Sequence, residues 1–428
     1  MESDLHMTGY DYNIILTSFY IGYILLEIPS VILCKAIGPG WFLPCAAILF
    51  GLCSVFTAYV TTVSQACAVR FLLGVFEAGM LPGTAYYLSR WYRRSELTFR
   101  LSLYVAMAAL AGAFGGVLAS AILTLPSVGN LTSWRMLFVI EGIITIGVSL
   151  VALIFLADRP ETASWLTPEE KHLAITRIES ERRDTPLLDQ LSRRRFVRGA
   201  KSPVTVCVGV IFCFNAMVVQ SMAFFLPTIV RAIYPEFTTV KQQLFSAPPY
   251  LLGSAVLVVA SWLSWKVDTR QMFFLVTTLP VIVGYIMFLA APTTDQKVRY
   301  AATFLASIAF TMGSLTNAQV AANVVTDTAR SAAIGVNSMF AHVGGLVGSW
   351  AFLPWDGPLY PIGNGLNLAC SAAIFILSGL LWVWMVRDNR NRDSKAAAAA
   401  AQDGSTGLGV DEDEDDMEWE HPAFRWRP

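Results

Sequence analysis

Eleven long apolar runs, joined by short polar connections and one long one, set the pattern of this chain. They cover roughly residues 12–34, 41–62, 66–89, 99–124 and 134–157, then 203–230, 243–265, 271–291, 298–324, 331–354 and 365–387. Each is long enough for a helix to cross about 30 Å of hydrocarbon, which takes around 20 residues at 1.5 Å each. The pattern predicts an all-α polytopic membrane protein with eleven transmembrane helices. Residues 1–157 form a five-span bundle and residues 203–387 a six-span bundle. Between them, residues 158–202 are polar and basic, with Arg177, Arg182, Arg183, Arg193, Arg194, Arg195, Arg198 and Lys201. In this loop Thr167-Pro-Glu-Glu170 is a capping box with proline at the first helical position, so an amphipathic helix is expected over about 168–184. The tail, 388–428, has an alanine run and the acidic block Asp411–Asp416, and is expected to be disordered and solvated.

Lysines and arginines orient the spans. Arg90, Arg93, Arg94 and Arg100 follow the third run, Lys266 and Arg270 the seventh, and Arg387, Arg390 and Arg392 open the tail. The alternate connections at 125–133 and 355–364 hold none. This puts the long loop and the C-terminus in the cytoplasm, with the plasma membrane as the expected site. Counting back leaves the N-terminus outside and the halves unequal. A span missing before residue 1 is the simplest account. Asn130-Leu-Thr132 is then an external glycosylation sequon in a short loop.

Composition agrees. Of 428 residues, 55% are hydrophobic and 14% charged, against about 25% charged in soluble domains. The net charge of −1 offers no basic surface for nucleic acid. The seven cysteines lie in apolar runs without a CxxC and read as small hydrophobes, so no metal site is expected. No phosphate loop, zinc-helix motif or nucleophile elbow is present, so neither an enzyme nor a cofactor is expected.

The third run breaks the apolar rule. Arg70-Phe-Leu-Leu-Gly-Val-Phe-Glu-Ala-Gly79 places an arginine and a glutamate seven apart, nearly two turns, on one helix face. Each charge costs about 2.5–3.5 kcal/mol at a bilayer centre on insertion scales, so such residues usually serve function. Gly79-x-x-x-Gly83, Gly112-x-x-x-Gly116 and Gly344-x-x-x-Gly348 read as helix-packing devices, and Pro82 and Pro227 as kinks.

The text around these positions resembles the major facilitator superfamily, and within it the anion:cation symporters of the fungal allantoate and nicotinate permease type. The blocks that carry it are Tyr20-Ile-Gly-Tyr-Ile-Leu-Leu-Glu-Ile-Pro-Ser30, Arg70–Gly79, Pro82–Trp91, Leu110–Gly116, Asp158–Glu170 and Glu418–Trp426. The resemblance implies two six-helix bundles rocking about a central site, and proton-coupled uptake of a small organic anion, usually a carboxylate. It implies that Arg70 holds the anion and Glu77 takes the proton. It also implies a first helix with an Asp-Arg pair, which this chain lacks. The superfamily's acidic residue after its second helix is missing from Leu33–Gly40, whereas the equivalent turn of the second half keeps Asp268 and Arg270 as gating residues.

Other candidates follow from depth. Asn215 and Asn317 offer amides for substrate, as do Gln220, Gln319 and Asn323. Tyr20, Tyr23 and Tyr86 are candidates to line the path. His342 reads either as a proton relay or as a polar link between helices. Glu141, near Arg135, reads equally as a structural pair or a functional carboxylate. Glu27, just before Pro29, reads as a helix-end anchor. The expected partners are an organic anion, protons and lipid, and the carrier is expected as a monomer. A proton-antiport efflux pump and a truncated, non-transporting protein are the alternative readings.

Overall fold

The structure is a computed structural model, described over residues 4–92, 94–126, 133–182, 193–324, 326–402, 418–421 and 424–428. Asn130, Arg93 and the acidic block lie outside these residues. The first half holds α1 (Asp11–Ile37), α2 (Pro39–Thr57), α3 (Val63–Glu77), α4 (Met80–Trp91), α5 (Arg94–Ile122) and α6 (Ser133–Phe155). The loop holds α7 (Pro168–Arg182) and α8 (Arg193–Lys201), the second unforeseen. The second half holds α9 (Pro203–Ile233), α10 (Thr239–Val267), α11 (Gln271–Ala290), α12 (Gln296–Ser307), α13 (Met312–Ala322), α14 (Asp327–Gly348) and α15 (Pro361–Gln402).

Among the described residues, ten segments are long and apolar enough to cross a membrane, α3 with α4 and α12 with α13 each counting as one. The remaining expected span, α14, carries a shorter apolar stretch, Ala332–Gly348. The described residues thus give ten candidate spans and this shorter apolar helix, against the eleven spans expected. Within the first half α1 packs on α3 and α2 on α6; within the second, α9 packs on α14 and α11 on α15. The halves meet through α5 with α10 and α1 with α14.

The small-residue motifs make these crossings. A Cβ at Gly344 or Gly348 would strike the backbone of Cys213 or Met217 on α9, and one at Gly116 the carbonyl of Gln243 on α10. Gly22 and Gly74 do the same where α1 crosses α3.

Pro29 and Pro44 sit inside the continuous helices α1 and α2, whereas Pro82 and Pro227 differ from one another. Pro82 has no N–H for the carbonyl of Ala78, and the expected third helix breaks there into α3 and α4. Pro227 leaves the carbonyl of Ala223 open in the same way, yet α9 stays continuous: the Tyr250 hydroxyl donates to that carbonyl at 3.1 Å. Pro249 opens Phe245, whose carbonyl accepts from the Tyr300 hydroxyl at 2.9 Å.

The expectation of a disordered tail is corrected at both ends. Residues 388–402 continue α15, and residues 424–428 dock on the loop-side face of the second half. Trp426 is 2% exposed in an apolar cluster with Phe274, Leu381 and Met385. Its indole donates to Asp388 at 2.7 Å, and its backbone exchanges two 2.9 Å bonds with the Asn389 amide. Arg427 backbone bonds Asn323 and Gln319, and the Arg270 N–H donates to Pro428 at 3.0 Å. An indole needs a socket with a polar exit, and α15 supplies both.

Candidate functional site

Thr62 caps α3 by accepting from the Gln65 N–H at 3.3 Å. The helix then carries Arg70 two turns in and ends at Glu77, the last residue before the proline break. Arg70 is half-buried, with its guanidinium 5.6 Å from the centre of the Phe138 ring of α6. Its Nε is buried without a hydrogen-bond partner. Glu77, Glu141 and Tyr12 are its electrostatic neighbours. Glu141 is thus turned to Arg70, while Arg135 donates to the Ala58 carbonyl at 2.5 Å and lies over Trp134. Glu77 in turn faces Arg70 and His342.

One face of α1 brings in the second half. Asn13 donates to the Ser349 carbonyl at 2.6 Å, and the Trp350 indole donates to Thr17 at 2.8 Å. The Tyr20 hydroxyl lies against Gly345, and Tyr23 lies on the His342 imidazole with ring centres 4.3 Å apart. Glu27 ends the row, its Oε2 3.2 Å from His342 Nδ1. The helix-end reading of Glu27 is corrected: it is 7% exposed and sits ten residues inside α1, against a helix of the other half. Residues 13, 17, 20 and 27 recur at helical spacing, a polar stripe legible in the sequence. Asn13 and Thr17 were not singled out there.

The amides are not gathered at Arg70. Asn215 is 2% exposed and lines a small cavity inside the second half with Thr277, Thr278 and Ser371. Asn317 accepts from Asn337 at 2.8 Å and donates to the Gly313 carbonyl at 3.2 Å. Gln319 and Asn323, expected to face the path, hold the tail. Tyr86 is drawn to the loop side between Lys35 and Arg90.

On that side Asp268 ends α10 in the left-handed region, φ 54°, and pairs with Arg270 at 2.7 Å. The corresponding turn of the first half, Gly38-Pro-Gly40, has no acidic residue of its own. Asp158, arriving after α6, supplies one. It accepts from the Gly40 N–H at 3.2 Å and from Arg90 at 3.4 Å, and Gly38, φ 98°, is needed because a side chain there would strike it.

The Major Facilitator Superfamily profile matches residues 1–349. The chain belongs to this superfamily of membrane transporters. It is 31% identical over 392 residues to the uncharacterized transporter C1039.04 of Schizosaccharomyces pombe, covering 91% of this chain and 76% of that protein. It is 30% identical over 401 residues to the MFS-type transporter cnsO of Penicillium expansum, covering 90% and 77%. Among solved structures it resembles a bacterial homolog of the human lysosomal transporter Spinster, in its inward-facing and unoccupied conformation. The TM-score is 0.65 at 16% identity, over 87% of this chain and 88% of that one, a likeness of fold.

Proposed function

We propose that this transporter takes up a small organic anion, a carboxylate, together with protons, at the plasma membrane, with its C-terminus in the cytoplasm. The observation that carries the reading is Arg70: a guanidinium within the span whose buried Nε has no partner. Leaving a charged donor unsatisfied is costly, and a planar carboxylate fits the guanidinium fork. An anion arriving there meets one positive charge flanked by two carboxylates, Glu77 and Glu141. With both ionised, its entry adds to a negative excess, so a proton taken up by Glu77 favours binding. Linkage makes the effect mutual: bound anion favours the proton as the proton favours the anion. Alternation of the two halves about this site then moves both.

Purified protein in vesicles holding a pH-sensitive dye tests this, with nicotinate and allantoate heading a panel of carboxylates. Uptake should acidify the lumen. Arg70→Ala should lower uptake by at least about tenfold, the worth of a charge-assisted bond, with insertion unchanged. Glu77→Gln should keep exchange but lose accumulation driven by a proton gradient. Uptake indifferent to Arg70 sinks the anion site, and substrate moving against the protons points to antiport.

A further inference from the structure

We infer that Glu27 and His342 form a proton-controlled link between the two halves, closed when the imidazole is charged and released when it is neutral. The inference rests on the reading of Glu77 as the group that takes the transported proton. The geometry is specific. Both side chains are enclosed, 10% and 15% exposed, and they approach to 3.2 Å from helices on opposite sides of the interface. The link is the last member of the polar row that begins at Asn13 and Ser349. The other members join a neutral donor to a neutral acceptor or pack a tyrosine on a glycine. This one alone in the row changes its charge with one proton.

The electrostatics follow from burial. A carboxylate held out of water is costly unless a cation meets it. With a charged imidazole, Glu27 is paired and the halves are held together at this depth. With a neutral imidazole, Glu27 is left as an enclosed lone charge, and separation of α1 from α14 lets water reach it. Tyr23, its ring tilted by 35° against the imidazole with centres 4.3 Å apart, orders the ring without changing its charge. From α3, Glu77 acts on the same imidazole. Tyr20 and Tyr104 complete the titratable groups around Tyr23. The other helices packed on α14 approach it through the Cys213 backbone of α9, through α8, and through Asn317 of α13. His342 is therefore placed where the proton state of the anion site and the contact between halves are felt together.

A measurement without substrate tests this. Spin labels at Ile37→Cys and Val267→Cys, both exposed at the loop-side ends of α1 and α10, report the separation of the halves in a cysteine-free background in lipid. Between about pH 5 and 8 the ratio of the populations at two inter-label distances should change by about threefold or more. Glu27→Gln and His342→Gln should each leave that ratio flat. A wild-type ratio that does not move with pH, or both variants responding like the wild type, overturns the link. Should a single variant fail to fold, the exchanged pair E27H/H342E keeps both groups and should respond, and a folded exchanged pair without response also overturns it. Glu77→Gln separates the two claims: a ratio flat there but responsive in Glu27→Gln removes the link, whereas a response kept there and lost in Glu27→Gln supports the link, and proton-driven accumulation in the same variant tests the coupling reading separately.

Discussion

The two halves of this transporter solve different problems with the same kind of helix. The first half holds most of the charges within spans, Glu27, Arg70, Glu77 and Glu141, while the second buries Arg299 near the start of α12. The first half's buried apolar clusters are small, one of Leu5, Ile15, Val60 and Ala66 and one of Cys34, Phe42, Leu43 and Ala46. The second half presents amides, hydroxyls and His342 and packs two large clusters, one along α9 and one at the loop side. Two of its proline gaps, at Ala223 and Phe245, are met by tyrosine hydroxyls, and its loop-side face is tied by the tail. In the first half Pro82 is left to break its helix, and the break falls directly after Glu77. The difference teaches where precision is spent. Charged chemistry sits on the more loosely packed half, and the denser half is the body it works against.

If the tail is part of that density, removing its anchor should cost the most of the structural changes considered. Trp426→Ala empties a socket of near-zero exposure and removes the indole N–H that meets Asp388, which keeps Arg392 as its other partner. Tryptophan-to-alanine changes in cores cost about 3–5 kcal/mol, and the apparent thermal midpoint in detergent should fall accordingly. An unchanged midpoint would mean the tail merely rests on a body that is rigid without it.

A smaller effect tests the proline repair. Tyr250→Phe keeps the ring among Met222, Ala223 and Phe310 and removes only the hydroxyl that meets the Ala223 carbonyl. An orphaned buried acceptor costs about 1–3 kcal/mol, so the midpoint should drop by less than for Trp426→Ala. If instead it does not move, the continuity of α9 across Pro227 has another cause, and this contrast between the halves fails.

Much of this was legible in the sequence, for physical reasons. A span must be long and apolar, and a charge within it stands out, so the runs, the basic loop, Arg70 and Glu77 could be read directly. What was not legible depended on distant partners. Pro82 and Pro227 look alike in sequence, and the Tyr250 hydroxyl that meets the Ala223 carbonyl comes from a distant helix. Glu27 looked like an anchor because His342 lies far along the chain. Asn317 looked available because Asn337, which occupies it, is a turn and a helix away. The tail looked solvated because its mean polarity is high, although one indole in a made socket outweighs that average.

The smallest prediction concerns the connection between the halves, where the sequence alone specified the contact. Thr167 and Glu170 bond reciprocally at the start of α7. The Thr167 N–H donates to the carboxylate at 2.9 Å and its hydroxyl at 3.0 Å, and the Glu170 N–H returns to the hydroxyl at 3.3 Å. These bonds to Thr167, from the backbone first, hold the Glu170 carboxyl below its usual range. A depressed carboxylate contributes its stability above the unfolded value of about 4.3 and loses it as pH falls through the lower folded one. The first turn of α7 should therefore be equally protected from amide exchange at pH 5 and 8, once intrinsic rates are removed, and open below about pH 4. Glu170→Gln keeps an acceptor that does not titrate and should flatten the acid limb. Identical acid limbs in the two proteins would show that the cap does not hold this turn. The connection would then be as loosely tied as the half it leaves.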